Sequence, residues 1–189
     1  MSGNSVLASA TSGYDATGRL ASVSDGTNSA AYFYLANSSL VDQIVFAHGA
    51  APVMTNQNTY DNLNRLTGKS SALNFNYQYN AAGQRTRAAL LDDGSYWLYG
   101  YDALGQVTNA NKYFWDGTPV AGQQFAYAFD TIGNRTGAKA GGDQNGQNLR
   151  PAGYTNDLLN RLMSRNVPGY VDVTGLALRH DGFPGQAQT

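Results

Sequence analysis

One seven-residue pattern occurs six times along this chain. Each copy reads, with small departures, as an aromatic residue, Asp, two variable residues, Gly, a polar residue, and Leu, Val or Arg. The copies occupy residues 14–20, 60–66, 79–85, 101–107, 129–135 and 156–162. A repeat of this kind builds a chain from supersecondary units that bury their faces only by stacking on their neighbours. The pattern therefore predicts a repeat architecture.

Substitutions within the pattern indicate that each copy contains a tight turn. The first position is aromatic in five copies: Tyr14, Tyr60, Tyr79, Tyr101 and Phe129. The second position is Asp or Asn: Asp15, Asp61, Asn80, Asp102, Asp130 and Asp157. The fifth position is Gly or Asn: Gly18, Asn64, Gly83, Gly105, Gly133 and Asn160.

These residue types have a common structural explanation. Gly and Asn are the residues that most readily adopt a positive φ. A short Asp or Asn side chain accepts a hydrogen bond from the backbone amide two residues on. The pattern thus predicts a type I turn closed by a left-handed residue, a common hairpin connection. The aromatic residue would end one strand, and the last two positions would begin the next.

Alternating segments between the copies predict further hairpins. Residues 88–91 and 96–101 flank an Asp92-Asp93-Gly94-Ser95 turn, and residues 43–47 and 52–60 flank His48-Gly49-Ala50-Ala51. Residues 74–79 alternate polar and aromatic side chains, which is typical of a strand that buries one face. The long gap between the first two copies predicts a degenerate copy around Tyr32-Phe33-Tyr34.

The repeat region is predicted to cover residues 14–173. An N-terminal tail would occupy residues 1–13, and a poorly ordered C-terminal tail residues 174–189. Inside the repeat region, the glycine-rich segment 139–153 is predicted to be a flexible loop between strands.

Composition supports an all-β fold of antiparallel hairpins arranged as a curved strip. The chain has 13 acidic residues, all of them Asp, and only three lysines. Glu and Lys are the usual residues of exposed helix faces, so their scarcity argues against helices. Tyr and Thr favour strands, whereas Gly, Asn and Asp favour the turns between them.

Several classes of function find no support in the composition. The net charge is −1, which offers no electrostatic footprint for nucleic acid. No apolar run is long enough to span a bilayer, and residues 1–14 do not resemble a signal peptide. The chain has no cysteine, which excludes disulfides and thiolate metal sites.

The copies resemble the YD repeats of RHS proteins, with 60–67 and 133–136 especially typical. This resemblance covers nearly the whole repeat region and implies a long β-sheet strip that spirals into a hollow shell. In bacterial RHS and Tc-type toxins such a shell encloses a C-terminal toxin, and in animal teneurins a similar barrel supports cell adhesion. No Asp-Pro dipeptide of the kind associated with self-cleavage occurs here, and no toxin domain is recognisable. We therefore expect a fragment of shell wall.

Residues that could carry chemistry have simpler structural interpretations. His48 and His180 are the only histidines, and no Gly-x-Ser-x-Gly nucleophile motif accompanies them. Asp92 and Asp93 could suggest paired carboxylates, but Asp-Gly is a hairpin signal. The segment 143–146 only faintly resembles a calcium loop, which needs a bidentate acid at its end. We expect no catalytic residue, no metal and no cofactor.

Two functions from different classes remain open. The first is a bacterial, secreted or cell-surface wall segment that encapsulates a toxin or effector, with neighbouring repeats and the cargo as partners. The second is an adhesion or carbohydrate-binding module, because exposed Tyr and Asn suit stacking and hydrogen bonding with sugars. An enzyme comes third, for want of a constellation of catalytic groups.

Overall fold

The computed structural model describes residues 9–166, and all regular structure within that range is β-strand. The chain divides into two compact units, Met1–Thr118 and Pro119–Thr189. The first unit contains β1 Thr11–Tyr14, β2 Leu20–Ser24, β3 Asn28–Tyr34, β4 Val41–His48, β5 Ala51–Tyr60, β6 Leu66–Ser70, β7 Phe75–Tyr79, β8 Arg85–Leu90, β9 Tyr96–Tyr101 and β10 Val107–Tyr113. The second contains β11 Pro119–Phe129, β12 Arg135–Gly141, β13 Leu149–Asn156 and β14 Leu162–Arg165. The all-β prediction is confirmed.

Each unit is an antiparallel meander. In the first unit, every strand from β1 to β9 pairs with the strand that follows it in the chain. In the second unit, β11 to β14 pair in the same way. Among the described residues no helix is present that could cross a membrane.

Every copy of the repeat is the connection between an odd-numbered strand and the next strand. The odd strand ends at the first position of the copy in all six cases, and the even strand begins at the seventh. Alternate connections of a meander lie at the same end of its strands. The repeat turns of each unit therefore all lie at the same end of the strands in that unit. One repeat therefore corresponds to one hairpin.

The predicted positive φ is present in every copy. The fifth-position values are 79° at Gly18, 61° at Asn64, 78° at Gly83, 84° at Gly105, 92° at Gly133 and 62° at Asn160. The degenerate copy predicted near Tyr34 is also present, because β3 ends at Tyr34 and Asn37 has a φ of 55°. Its turn is one residue longer, closed by the Leu35 amide on the Leu40 carbonyl at 3.0 Å.

A β-bulge follows each turn, and the sequence pattern alone did not predict it. The first position pairs with the seventh, as in Tyr60 with Leu66, while the preceding residue Thr59 pairs with Gly68. Thr67, at the eighth position, is thus the extra residue of the bulge. The same shift occurs in all six copies. Thr stands at this eighth position in four of the copies: Thr67, Thr86, Thr108 and Thr136.

The two additional hairpins are confirmed, with one change in a turn. Strands β8 and β9 pair across residues 91–95, and β4 and β5 pair across a two-residue turn, Gly49-Ala50. His48 was predicted in that turn, but it is the last residue of β4 and pairs with Ala51. A two-residue connection matches strand twist, so the strands extend to His48 and Ala51.

The prediction of a flexible loop over residues 139–153 is wrong. Strand β12 continues to Gly141 and β13 begins at Leu149, and the residues between them form a capped turn. The Asp143 amide donates to the Gln147 carbonyl at 2.7 Å, and the Asp143 carboxylate accepts from the Asn145 amide at 2.8 Å. Gly142 and Gly146 supply the positive φ that this turn needs. The glycine content therefore reflects turn conformation and not the flexibility that was predicted.

The predicted tails lie mostly beyond the described range. Strand β1 begins at Thr11, within the segment 1–13 that was predicted as a tail. The C-terminal segment 174–189, with His180, lies outside the described residues.

The sheet keeps much of its side-chain surface accessible. Within residues 9–166, only Ala89, Ala152, Ser95 and Gln124 are buried. Side chains therefore gain most of their packing from neighbours on the same face, and cross-strand pairs become the main unit of stabilisation.

We predict that Gly83→Ala lowers the free energy of unfolding by about 1–2 kcal/mol, because Cβ disfavours positive φ. Space is not the cause, since a Cβ at Gly83 would meet no atom within 4 Å. Gly83→Asn is the matched control and should cost much less, because Asn64 and Asn160 occupy the same position. Urea unfolding of both variants measures the difference, and equal stabilities would contradict this account.

Candidate functional site

The repeat turns form the most regular arrangement of polar groups in the chain. At Asp61, one carboxylate oxygen accepts from the Leu63 amide at 2.9 Å and from the Arg65 amide at 3.0 Å. The Asp61 amide donates to the Arg65 carbonyl, and the Asn64 amide to the Asp61 carbonyl, both at 3.0 Å. The aspartate therefore closes the turn from both its side chain and its backbone.

The other copies repeat this geometry. The carboxylates that accept from amides two and four residues on are those of Asp15, Asp61, Asp102, Asp130 and Asp157. Asn80 takes the same place with its amide, whose oxygen accepts from the Gln84 amide at 3.0 Å. The second position thus requires a side-chain oxygen that accepts a hydrogen bond. A negative charge on that side chain is not required.

These hydrogen bonds favour the ionised aspartates. The hydrogen bond from the Arg65 amide is the largest influence and lowers the pKa of Asp61; desolvation opposes it, and the Arg65 side chain and the Leu63 amide lower the pKa further. Bonds from the Thr17 hydroxyl and the Arg19 amide hold the pKa of Asp15 far below its ordinary value. In the β2–β3 turn, bonds from the Asn28 side chain and amide lower the pKa of Asp25 to about 2. These three carboxylates are therefore turn caps, charged throughout the neutral range.

Tyrosine hydroxyls connect one repeat of the first unit to the next. The hydroxyl at the first position donates to the carbonyl of the residue that begins the even strand of the preceding copy, which is the seventh residue or, in the longer degenerate copy, Val41. The four bonds run from Tyr34 to Leu20 at 2.7 Å, Tyr60 to Val41 at 2.8 Å, Tyr79 to Leu66 at 2.7 Å and Tyr101 to Arg85 at 2.7 Å. We call this bond the inter-repeat latch.

In the second unit a different side chain makes the equivalent hydrogen bond. The last copy has Asn156 in the first position, and its side-chain amide donates to the Arg135 carbonyl at 3.2 Å. Arg135 is the seventh residue of the preceding copy, so the donor group changes while its acceptor position does not. A hydrogen-bond donor is thus present at the first position where the ring is absent, whereas Phe129 keeps the ring and has no side-chain donor.

Arginine at the sixth position strengthens the connection. Arg65 Nε donates to its own turn carboxylate, Asp61, at 2.7 Å, and Arg65 Nη1 donates to the Asn80 carbonyl of the next copy at 3.1 Å. Its guanidinium carbon lies 4.9 Å from the centre of the Tyr79 ring. Arg19 repeats the arrangement with Asp15 and lies 4.4 Å from the Tyr34 ring. One side chain therefore holds two successive turns together.

The rings of the first unit share one side of its sheet. Residues paired across strands lie on the same face, and those two apart in a strand do so as well. By this rule and the observed register, one face carries Tyr32, Tyr34, Tyr60, Phe75, Tyr77, Tyr79, Trp97, Tyr99 and Tyr101. We call it the aromatic face.

Cations accompany these rings. The Arg85 guanidinium lies 4.1 Å from the Tyr77 ring centre, and the register places Lys69 opposite Phe75 and Lys112 opposite Trp97. The rings of Phe75 and Tyr77 are nearly parallel, with centres 6.3 Å apart. The face combines flat apolar surface, phenol groups and positive charge, which suits contact with polypeptide or sugar.

Comparison with known proteins supports the fold. The chain is similar to a chain in the crystal structure of TcdB2-TccC3-Cdc42, a Tc toxin complex, with a TM-score of 0.56 and 18% identity. The match covers 80% of this chain and 9% of that chain. No family model and no curated protein matches the sequence. At this identity the likeness concerns the fold alone.

The candidate chemical residues are engaged in turns and strand ends. His48 Nδ1 lies 2.9 Å from the Asn28 side-chain oxygen in an exposed position. Asp92 accepts from the Asn74 amide at 2.7 Å, whereas Asp93 accepts from the Ser95 amide at 2.8 Å. The adjacent carboxylates thus cap different groups. Over residues 9–166 there is no cluster of three His, Cys, Asp or Glu able to hold a metal.

Sequence reasoning placed the turn residues and missed the groups that join the turns. The sixth-position arginines and the seventh-position carbonyls were not singled out. Arg19, Arg65 and Arg161 at one position would have been a usable signal. A carbonyl leaves no signal, because every residue at the seventh position has one.

We predict that Tyr101→Phe lowers the free energy of unfolding by about 0.5–1.5 kcal/mol, because it removes the bond to the Arg85 carbonyl. Tyr32→Phe is the matched control on the same face, since no described residue hydrogen-bonds the Tyr32 hydroxyl. Chemical denaturation checks both variants. Equal effects of the two substitutions would show that the latch contributes nothing.

Acid should destabilise the fold through the turn aspartates. The folded pKa values of Asp25 and Asp61 lie below the ordinary value of 3.8, so unfolding takes up protons as the pH falls below about 4. The stability that they contribute is fully present above pH 4, and for Asp25 it is lost as the pH falls to about 2. Thermal melts between pH 7 and pH 2 test this. Asp61→Asn should reduce the pH dependence while retaining the acceptor, and an unchanged profile would contradict the assignment for Asp61.

Proposed function

We propose that the chain is a wall segment of an RHS-type YD-repeat shell that encloses a toxin or secreted effector. The observation that supports this most directly is the inter-repeat latch, which joins hairpins of one repeat family into a strip. The fold likeness to the TcdB2-TccC3-Cdc42 complex supports the same assignment. The chain spans about a tenth of the length of that neighbour, so a complete shell would require many more repeats.

The mechanism of such a wall is mechanical. Each hairpin contacts mainly the hairpins next to it, so a strip of this kind can be lengthened by adding copies. Backbone pairing and latches leave few free donors inside the strip, and a closed sheet would exclude water and proteases from its interior. The wall needs no catalytic group, and we propose that this segment has none.

The location of the protein follows from this proposal. A shell that delivers a toxin is a bacterial protein of the cell surface or the secreted fraction. Its partners would be the neighbouring repeats of the same chain and the enclosed cargo. The aromatic face and the opposite face, which carries Asn76 and Gln78 on β7, would offer different chemistry to interior and exterior.

The coding DNA on both sides of this segment gives the first test. We expect further Tyr-Asp repeats, an Asp-Pro-containing core and an unrelated C-terminal domain. A reading frame with no such domain would overturn the encapsulation proposal.

Protease protection tests the wall directly in the full-length parent protein. We expect the C-terminal domain to resist digestion, and Tyr79→Phe with Tyr101→Phe to accelerate its cleavage, because two latches are lost. Tyr32→Phe serves as the control. Cleavage of the domain at the same rate when it is expressed without the shell would contradict the proposal.

A carbohydrate-binding or adhesion role is the second candidate. It is favoured by the accessible surface of the aromatic face, where Tyr77 and Tyr99 form none of the latches. Binding to a glycan array that is lost in Tyr77→Ala and Tyr99→Ala variants, but kept in Trp115→Ala, would support this role. No binding on such an array would count against it.

A further inference from the structure

Two copies of the repeat differ from the others at the seventh position. Leu or Val stands there in four copies: Leu20, Leu66, Val107 and Leu162. The third and fifth copies have Arg85 and Arg135 instead. Each arginine pairs across the hairpin with the first-position ring, so the two side chains lie on the same face of the sheet. A positive charge therefore replaces an apolar side chain among the rings at two places in the chain.

Aromatic rings surround the first of these arginines. The Arg85 guanidinium carbon lies 4.1 Å from the Tyr77 ring centre and 5.7 Å from that of Tyr79. Burial raises the pKa of Tyr99 on the neighbouring strand β9, and the positive charge of Arg85 opposes this rise. Arg85 is thus close to rings of its own hairpin and of the next one.

The second unit contains the same arrangement. The Arg135 guanidinium carbon lies 4.9 Å from the ring centre of Tyr127, 6.0 Å from that of Phe129 and 5.8 Å from that of Tyr154. In both copies one ring stands at the first position, one stands two residues before it, and one belongs to the next hairpin. We call each seventh-position arginine with its three rings an arginine cage. The recurrence in two units indicates that the cage is a property of the repeat.

Neither cage contains a carboxylate. The sixth-position arginines form ion pairs with turn aspartates, but no ion pair within residues 9–166 involves Arg85 or Arg135. A guanidinium has five N–H donors. Arg85 Nη2 donates to the Tyr79 hydroxyl at a long 3.3 Å, and Arg85 Nε is buried without a hydrogen-bond partner. The rings hold the cation in place and leave most of its hydrogen-bonding capacity unused.

We propose that each arginine cage binds a carboxylate of an acidic polypeptide segment, so that the faces carrying the cages contact the enclosed cargo. A carboxylate accepts two parallel N–H bonds from a guanidinium, which is among the strongest pairings of side chains. Rings around the cation reduce its contact with water and strengthen the attraction. The negative charge of the ligand is inferred from the cages, whereas its identity as a polypeptide rests on the proposed function.

The geometry favours a charged ligand over a neutral sugar. A sugar ring stacks on an open aromatic face, but the Arg85 guanidinium already covers one face of Tyr77. A neutral hydroxyl would also leave the charge of the cage uncompensated. Lys69, which pairs with Phe75, adds a further positive charge to the aromatic face. The face therefore complements a chain of negatively charged groups.

Peptide binding to the full 189-residue chain, measured by fluorescence anisotropy, tests this inference. The probe is a labelled peptide of alternating Glu and Ser, and the same peptide with Gln in place of Glu is its control. We expect the Glu peptide to bind, with an affinity that falls as salt is added. The Gln peptide should bind about tenfold more weakly, because it cannot form the charge-assisted bonds.

Variants assign the binding to the cages. Arg85→Gln and Arg135→Gln should each remove about half of the peptide bound at low peptide concentration, and the double variant should weaken binding about tenfold. Arg87→Gln is the matched control on the same strand as Arg85. Arg87 pairs with Gln78 on the opposite face and lies over the Tyr96 ring at 4.2 Å, so its loss removes an equal charge and should leave binding unchanged.

Several outcomes would overturn the proposal. They are an absence of binding by the wild type, equal binding of the Glu and Gln peptides, and equal losses in Arg85→Gln and Arg87→Gln. Tighter binding of polygalacturonate than of the Glu peptide would replace the polypeptide by an acidic glycan. Urea unfolding verifies that each variant is folded, and Arg135→Gln tests the second unit independently of Arg85.

Failure of this inference is distinguishable from failure of the proposed function. If the C-terminal domain of the parent protein resists protease while the Glu peptide does not bind, the shell stands and the cages have no such ligand. If the Glu peptide binds through both arginines while the domain is not protected, the cages stand as acid-binding sites and the enclosing role is wrong.

Discussion

The hydrogen bonds that each second-position side chain accepts from backbone amides are the interaction on which the rest of this structure depends; the five aspartates accept from two amides each, and Asn80 accepts from the Gln84 amide. They fix a turn that must close with a positive φ at the fifth position, where Gly and Asn carry little penalty. With the turn fixed, the first and seventh positions are forced opposite each other and the eighth becomes the extra residue of a bulge. Six copies of one local event therefore set the register of six hairpins.

A fixed register is what allows a side chain to serve two repeats. The Tyr79 hydroxyl reaches the Leu66 carbonyl, and Arg65 reaches the Asn80 carbonyl. Both contacts form only because the two turns lie at the same end of the strands and pair their first and seventh positions in the same register. Such contacts replace part of the packing that a second layer would provide, in a sheet where few described side chains are buried. Stability in this architecture is a sum over neighbouring repeats, so a strip of this kind can be lengthened by adding copies.

Local chemistry explains which predictions succeeded. The Asp, Gly and aromatic positions are set by the turn itself, so the positive φ at Asn64 and Asn160 could be predicted from residue type. The loop prediction for residues 139–153 failed because glycine content was interpreted as flexibility, whereas Asp143 caps a turn there. His48 was placed in a turn because the sequence marks the turn region more clearly than its boundaries. The only sign of the bulge in the sequence is the threonine that recurs at the eighth position, and the prediction did not use it.

The sequence by itself determined the turns, the strand class and the repeat, because each depends on residues within seven positions of one another. Tertiary structure decided the acceptor of each latch, the rings covered by each arginine and the face shared by the aromatic side chains. The latches join residues 13 to 19 positions apart, as in Tyr79 with Leu66 and Tyr60 with Val41. Their acceptors are backbone carbonyls, which every residue possesses, so only the folded register can select among them.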